Sequence, residues 1–155
     1  MAADEPDALS LSNQLCFTVY ATAHAFARVY RPLLEPLGLT YPQYLVMLAL
    51  WEEDGRSVGA IGHALQLDSG TLTPLLKRLQ GLGLVRRERA GDDERRVVVR
   101  LTPAGQALKA RASGVPAGVL CAMGGDMAEV SAVKAGLERL RARLLAAAAA
   151  PEPAP

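Results

Sequence analysis

The sequence predicts a mainly α fold carrying one small β-ribbon, and its apolar spacing, its glycine stops and its terminal seams each support that class. Between Ser57 and Leu79 two short segments repeat at helical spacing. Val58, Ile61 and Leu65 fall at i, i+3 and i+7, and Leu72, Leu75, Leu76 and Leu79 at i, i+3, i+4 and i+7. Gly81 and Gly83 stop the second segment, and Leu84-Val85-Arg86-Arg87-Glu88-Arg89 and Arg95-Arg96-Val97-Val98-Val99-Arg100-Leu101 then read as strands around a Gly91-Asp92-Asp93-Glu94 turn. At the two ends, Leu15, Val19, Thr22, Phe26, Val29 and Leu33, and Val130, Val133, Leu137, Leu140 and Leu144, form seams of alternating 3 and 4 steps. Helix, turn, helix and hairpin in that order make a winged helix-turn-helix over residues 41–102. It is flanked by helical regions 7–35 and 103–149 within a single domain 1–155, with 150–155 expected to be a disordered tail.

The element ends have local causes. Thr40 and Gln43 form a capping-box pattern that opens a helix through Tyr44, Leu48 and Trp51. Thr102-Pro103 opens another, which falters at Gly114 and Pro116. Thr22 is the polar member of its seam, and its hydroxyl is expected to bond a carbonyl one turn back. With 155 residues, half of them hydrophobic, the chain has enough apolar side chains for one core. No charge-free apolar run is long enough to span a membrane, and the acidic start Met-Ala-Ala-Asp-Glu-Pro-Asp-Ala lacks the basic region and apolar core of a secretory signal. A cytoplasmic protein is expected.

Charge is sorted along the chain although the total is only +1. From Lys77 to Arg100 there are eight basic and four acidic residues, a balance of +4, while the remainder carries −3. Cations concentrated on one hairpin suit a surface that displaces counterions from phosphates. The helix before it presents Ser69, Thr71, Thr73, Lys77 and Arg78, small or cationic donors that suit a major groove. Double-stranded DNA is therefore the expected partner, with Arg86, Asp93, Arg95 and Arg96 as the wing's candidates. His24, His63 and the two cysteines have no metal-ligand spacing, and phosphate loops, serine motifs and paired carboxylates are missing from the sequence. Neither a cofactor nor an enzyme is expected.

A second stripe lies one position round the first helix: Cys16, Tyr20, Ala23, Ala27, Tyr30 and Leu34. Cys16 and Tyr20 are i, i+4 neighbours, so a phenol can hydrogen-bond a thiolate there and favour it. Tyr30 is 14 residues beyond Cys16, or ~21 Å at a rise of ~1.5 Å per residue, and cannot touch its own thiol. The terminal seams suggest a two-fold homodimer, which would set two recognition helices about one helical turn of DNA, ~34 Å, apart.

Two sets of residues carry a resemblance. Asp93-Glu94-Arg95-Arg96 followed by Leu101-Thr102-Pro103-Ala104-Gly105 resembles the MarR family of dimeric winged-helix regulators. Leu11-Ser12-Asn13-Gln14-Leu15-Cys16-Phe17 with Tyr20, Tyr30-Arg31-Pro32-Leu33-Leu34, Leu39-Thr40-Tyr41-Pro42-Gln43-Tyr44-Leu45 and the run Leu67 to Leu79 resemble its organic-hydroperoxide-sensing (OhrR) repressors. The resemblance covers most of the chain from Leu11 onward. It implies a homodimeric repressor that releases operator DNA when Cys16 is oxidised by an organic hydroperoxide, with Tyr20, Tyr30 of the partner subunit and Tyr41 around the thiol. It further implies that Arg95 enters the minor groove and that Cys121, following Val115-Pro116, resolves the oxidised thiol as an intersubunit disulfide.

Other readings of the same residues stay open. Cys16 could line a pocket for a non-covalent small aromatic ligand between the dimer layer and the winged unit. A thiol peroxidase using Cys16 and Cys121 is disfavoured by the winged unit and by the lack of an arginine within the turns around Cys16. Cys121 could also be a small hydrophobe beside Val119, Leu120 and Met123. Met47, Met123, Met127 and Trp51 read as packing residues.

Overall fold

The computed structural model describes residues 7–90 and 93–149, with backbone only at 90 and 93–96. Gly91, Asp92, the tail 150–155 and the side chains of Asp93, Arg95 and Arg96 thus lie outside the described residues.

Helix α1 (Leu15–Leu34) follows the first seam, and the Thr22 hydroxyl donates to the Thr18 carbonyl at 2.7 Å. A 3-10 turn, Glu35–Leu37, and Gly38 at φ +66° end it; the left-handed backbone there suits a residue without Cβ. Helix α2 (Tyr41–Glu52) starts at the expected capping box, where Gln43 Oε1 accepts the Thr40 N–H at 2.9 Å. Helices α3 (Val58–Leu65) and α4 (Ser69–Gly81) are capped by Ser57, which accepts from the Ala60 N–H, and by Asp68, which accepts from the Thr71 N–H. Between them Gln66 takes a left-handed conformation at φ 53°. Ile61, Leu72, Leu76 and Leu79 are buried with Val46, Met47 and Leu50 of α2, as their periodicity required.

The hairpin differs from its expected form. Strand β2 (Val85–Ala90) pairs with β3 (Asp93–Leu101), so Asp93 and Glu94 are strand residues rather than turn residues. Arg89 faces Val97 but Ala90 faces Asp93, and this irregularity takes up the extra residues of β3. A further strand, β1 (Arg56–Ser57), pairs with β3 on its other side, giving the antiparallel order β1-β3-β2. Two residues are too few to show an alternating pattern.

Helix α5 (Pro103–Ala112) docks on this sheet and on α2. Thr102 accepts the Gly105 N–H at 3.1 Å, the Trp51 indole N–H donates to the Gly105 carbonyl at 2.9 Å, and Lys109 Nζ donates to the Trp51 carbonyl at 3.0 Å. A Cβ on Gly105 would stand 2.0 Å from the Leu84 carbonyl oxygen, so only glycine allows this approach. The chain divides into two compact units, up to Val115 and from Pro116 onward. Residues 103–112 fall in the first of these units, which also holds α1 and the winged helix-turn-helix.

The second unit contains most of α6 (Val115–Ala122), and then α7 (Met127–Ala149). The α5 helix stops before Gly114, as expected, and Pro116 sits in the first turn of α6, where its missing N–H has no helical partner to lose. Gly124 and Gly125, at φ 95° and 79°, make the turn into α7, which Asp126 caps by accepting from the Ala128 N–H at 2.8 Å. Among the described residues, no helix is long and apolar enough to cross a membrane.

Candidate nucleic-acid interface and thiol site

Burial of Leu72, Leu76 and Leu79 fixes which side of α4 faces outward. Ser69, Thr71, Thr73, Lys77 and Arg78 are all exposed there. Thr71 is less free than its position in the sequence suggests. Its N–H donates to Asp68 Oδ1 at 2.8 Å and its hydroxyl to Oδ2 at 3.2 Å, and these bonds hold the Asp68 carboxyl below the usual carboxylate range. Thr71 therefore helps to build the cap that starts the helix.

Residues without a signal in the sequence position the wing. Arg87 Nε donates to Gln80 Oε1 at 2.9 Å, linking β2 to the last turn of α4. Asp54 Oδ1 accepts the Leu101 N–H at 2.8 Å and the neighbouring Gly55 N–H at 2.8 Å, tying the end of β3 to the turn before β1. Glu88 forms ion pairs with Arg86 and with Arg100. The Arg87–Gln80, Asp54–Leu101 and Glu88–Arg100 partners meet across strands or turns, so linear spacing gives no sign of them.

Cys16 lies in the first turn of α1 and Cys121 in the last turn of α6, both as exposed free thiols. Tyr20, one turn beyond Cys16, rests against the His24 ring, 4.4 Å between centroids. No hydrogen bond joins Tyr20 to Cys16 among the described residues. The other two candidate tyrosines do meet, with the Tyr30 and Tyr41 rings 4.5 Å apart. Tyr44 lies 6.0 Å from Tyr30, and Trp51 6.3 Å from Tyr44, extending the cluster towards α5. Burial raises the Tyr30 and Tyr41 phenols above their ordinary range, with charge repulsion among the tyrosines adding to it at Tyr30. Both therefore stay protonated near neutrality and can act as hydrogen-bond donors.

Helix α1 is continuous between Cys16 and Tyr30, so the pair at Tyr30 and Tyr41 remains about 21 Å from its own thiol. Around Cys16, Leu15 and Val19 are 61% and 41% exposed. Val133, Leu137 and Leu144 of α7 are likewise exposed. Separately, a recess of about 350 Å³ is lined by Leu37, Leu84, Ala104 and Leu108 with Arg111 beside it, and none of the thiol-site residues lines it. No group of His, Cys, Asp or Glu among the described residues could hold a metal ion.

The model for the transcriptional regulator SarA/Rot family matches residues 28–111. The HTH-type transcriptional regulator TtmR of Methylorubrum extorquens is 52% identical over 149 residues, 96% of this chain and 75% of its own length. The organic hydroperoxide resistance transcriptional regulator of Bacillus subtilis is 47% identical over 114 residues, 74% of this chain and 78% of its own. The reduced, DNA-bound structure of AbfR, a Staphylococcus epidermidis protein, superposes with a TM-score of 0.77 at 39% identity, covering 87% of this chain and 94% of that one. AbfR has also been solved in overoxidised and disulfide forms.

Proposed function

The chain belongs to the SarA/Rot family of winged-helix, MarR-like transcriptional regulators, and on that premise we propose that it is a cytoplasmic, homodimeric repressor switched by organic hydroperoxides. Its exposed α4 face, with Ser69, Thr71, Thr73, Lys77 and Arg78, enters the major groove of operator DNA. Arg86, Asp93, Arg95 and Arg96 serve the wing, with Arg95 in the minor groove. The observation that carries the switch is the separation of parts within one chain: a tyrosine pair at Tyr30 and Tyr41, and an exposed thiol about 21 Å from it on the same helix. Antiparallel pairing of two α1 helices brings the pair of one subunit to the thiol of the other and covers the exposed apolar side chains around Cys16. Dimerisation then builds the sensor.

In the proposed chemistry the Cys16 thiolate attacks the terminal oxygen of the hydroperoxide. The O–O bond breaks, Cys16 becomes a sulfenic acid, and the peroxide leaves as its alcohol after taking up a proton. Tyr20, with Tyr30 and Tyr41 of the partner subunit, donates hydrogen bonds to the thiolate and to the developing alkoxide. The thiol of Cys121 in the partner subunit then attacks the sulfenic sulfur, forming the disulfide and releasing water. Non-reducing gels test this step. Wild type should give a peroxide-dependent dimer band that thiol reductant removes, and Cys121→Ser should lose it. Retention of the band in Cys121→Ser would mean direct Cys16 pairing and remove Cys121 from the mechanism.

A further inference from the structure

Strands β2 and β3 display four arginines with described side chains, Arg86, Arg87, Arg89 and Arg100, and Glu88 is the acidic side chain described among them. The register sets Arg86 directly opposite Arg100, a like-charge cross-strand pair that is unfavourable by itself. Glu88 is two residues from Arg86 and so emerges on the same face of the strand. Its carboxylate serves both arginines, with Oε1 2.5 Å from Arg86 Nε and Oε2 3.2 Å from Arg100 Nε. All three side chains remain 40 to 55% exposed, so the group lies at the surface, where docked DNA would feel its charges. Arg87 stands apart on the other face and is held by Gln80.

We propose that Glu88 is a specificity-determining residue that lowers sequence-independent DNA affinity by occupying Arg86 and Arg100. The proposal rests on the reading of the winged unit as the DNA interface. A phosphate approaching either guanidinium must displace a carboxylate already in place, exchanging one ion pair for another. Sequence-independent affinity depends on the number of phosphates neutralised, each adding about 0.9 to the slope of log K against log salt. Two occupied arginines therefore withdraw up to two phosphate partners from the background. A regulator competing against about 10⁶ to 10⁹ non-specific sites achieves sharper discrimination from a lower background.

The test is fluorescence-anisotropy titration of a random-sequence duplex, about 30 bp long, between about 50 and 200 mM KCl, the range in which phosphate neutralisation dominates. Glu88→Gln should steepen the salt slope by about 0.9 to 1.8 and tighten binding about tenfold at the lowest salt for each arginine freed to meet a phosphate. Arg100→Gln should change binding little in wild type but weaken it about tenfold in the Glu88→Gln background. A slope for Glu88→Gln equal to wild type, while Lys77→Ala loses about 0.9, would overturn the role of Glu88 alone. Equal effects of Arg100→Gln in both backgrounds would overturn it too, because they would show Glu88 to be only a structural partner. Duplex binding without any salt dependence in wild type and Lys77→Ala would instead overturn the DNA reading beneath it.

Discussion

Gly105→Ala probes the joint between α5 and the wing. The added Cβ would lie 2.0 Å from the Leu84 carbonyl oxygen, 3.0 Å from the Leu84 carbonyl carbon and 3.3 Å from Leu101 Cδ2. The closest of these atoms is backbone, so the first turn of α5 must move by about 1 Å to restore van der Waals distance. Such overpacking costs about 1 to 3 kcal/mol. The shift also strains the Trp51 to Gly105 bond and the Thr102 cap on the Gly105 N–H, each worth about 1 kcal/mol. Alanine's helix propensity returns at most ~1 kcal/mol. The net loss is about 2 to 4 kcal/mol, a large share of a domain's typical stability of about 5 to 15 kcal/mol. Urea unfolding followed by circular dichroism gives the global figure, and Trp51, the only tryptophan in the sequence, reports the joint by fluorescence. Gly59→Ala is the control, since a Cβ there meets nothing within 4 Å, and it should be neutral or stabilising by up to ~1 kcal/mol. Equal stabilities for Gly105→Ala and Gly59→Ala would refute the close approach of α5 to Leu84.

Gln66→Gly should raise the denaturation midpoint by the equivalent of about 1 kcal/mol, because Gln66 holds a left-handed backbone at φ 53°; a lower midpoint would show that its side chain matters more than its backbone. Asp68 has a folded-state carboxyl held below its ordinary value by the Thr71 bonds. Its contribution is therefore fully present above the ordinary carboxylate pKa and lost as pH falls through the depressed folded value. Melting curves of wild type and Asp68→Asn should converge in acid, and a constant gap at all pH values would contradict the charged cap. Phe26→Asp places an unpaired charge on the α1 seam, and sedimentation should show a shift to monomer with a parallel loss of DNA binding. A stable dimer in that variant would place the interface elsewhere.

Helices α1, α3, α4 and α7 were legible from their periodic apolar spacing, and the starts of α2 and α5 from local devices at Thr40 and Thr102, whereas α6 and the Asp68 cap were not read from the sequence. The hairpin was legible as an element but not in its details. Asp93 and Glu94 follow a glycine and read as turn residues, yet cross-strand register continues β3 through them. Arg56 and Ser57 join the sheet only by pairing with Val99 and Val98, more than 40 residues away. The same physical limit hid the approach of Gly105 to Leu84 and the Glu88 bridge, both of which depend on tertiary packing. At the thiol site, the i, i+4 spacing puts Tyr20 one turn beyond Cys16, but spacing alone could not show that its ring rests on His24. Tyr30 stood on the second stripe of α1 and Tyr41 came from the resemblance, and their meeting depends on the packing of α1 against α2. Trp51 read as a packing residue and Tyr44 as a residue of its helix, and the structure adds both to the same aromatic cluster.

The central claim, that Cys16 oxidation releases DNA, is tested most directly by gel shift. The probe is the DNA upstream of the chain's own gene and its neighbours, with cumene hydroperoxide added and then a thiol reductant. Wild type should bind, release on peroxide and rebind on reduction, while Cys16→Ser should bind and stay bound. Peroxide-driven release by Cys16→Ser would contradict the account.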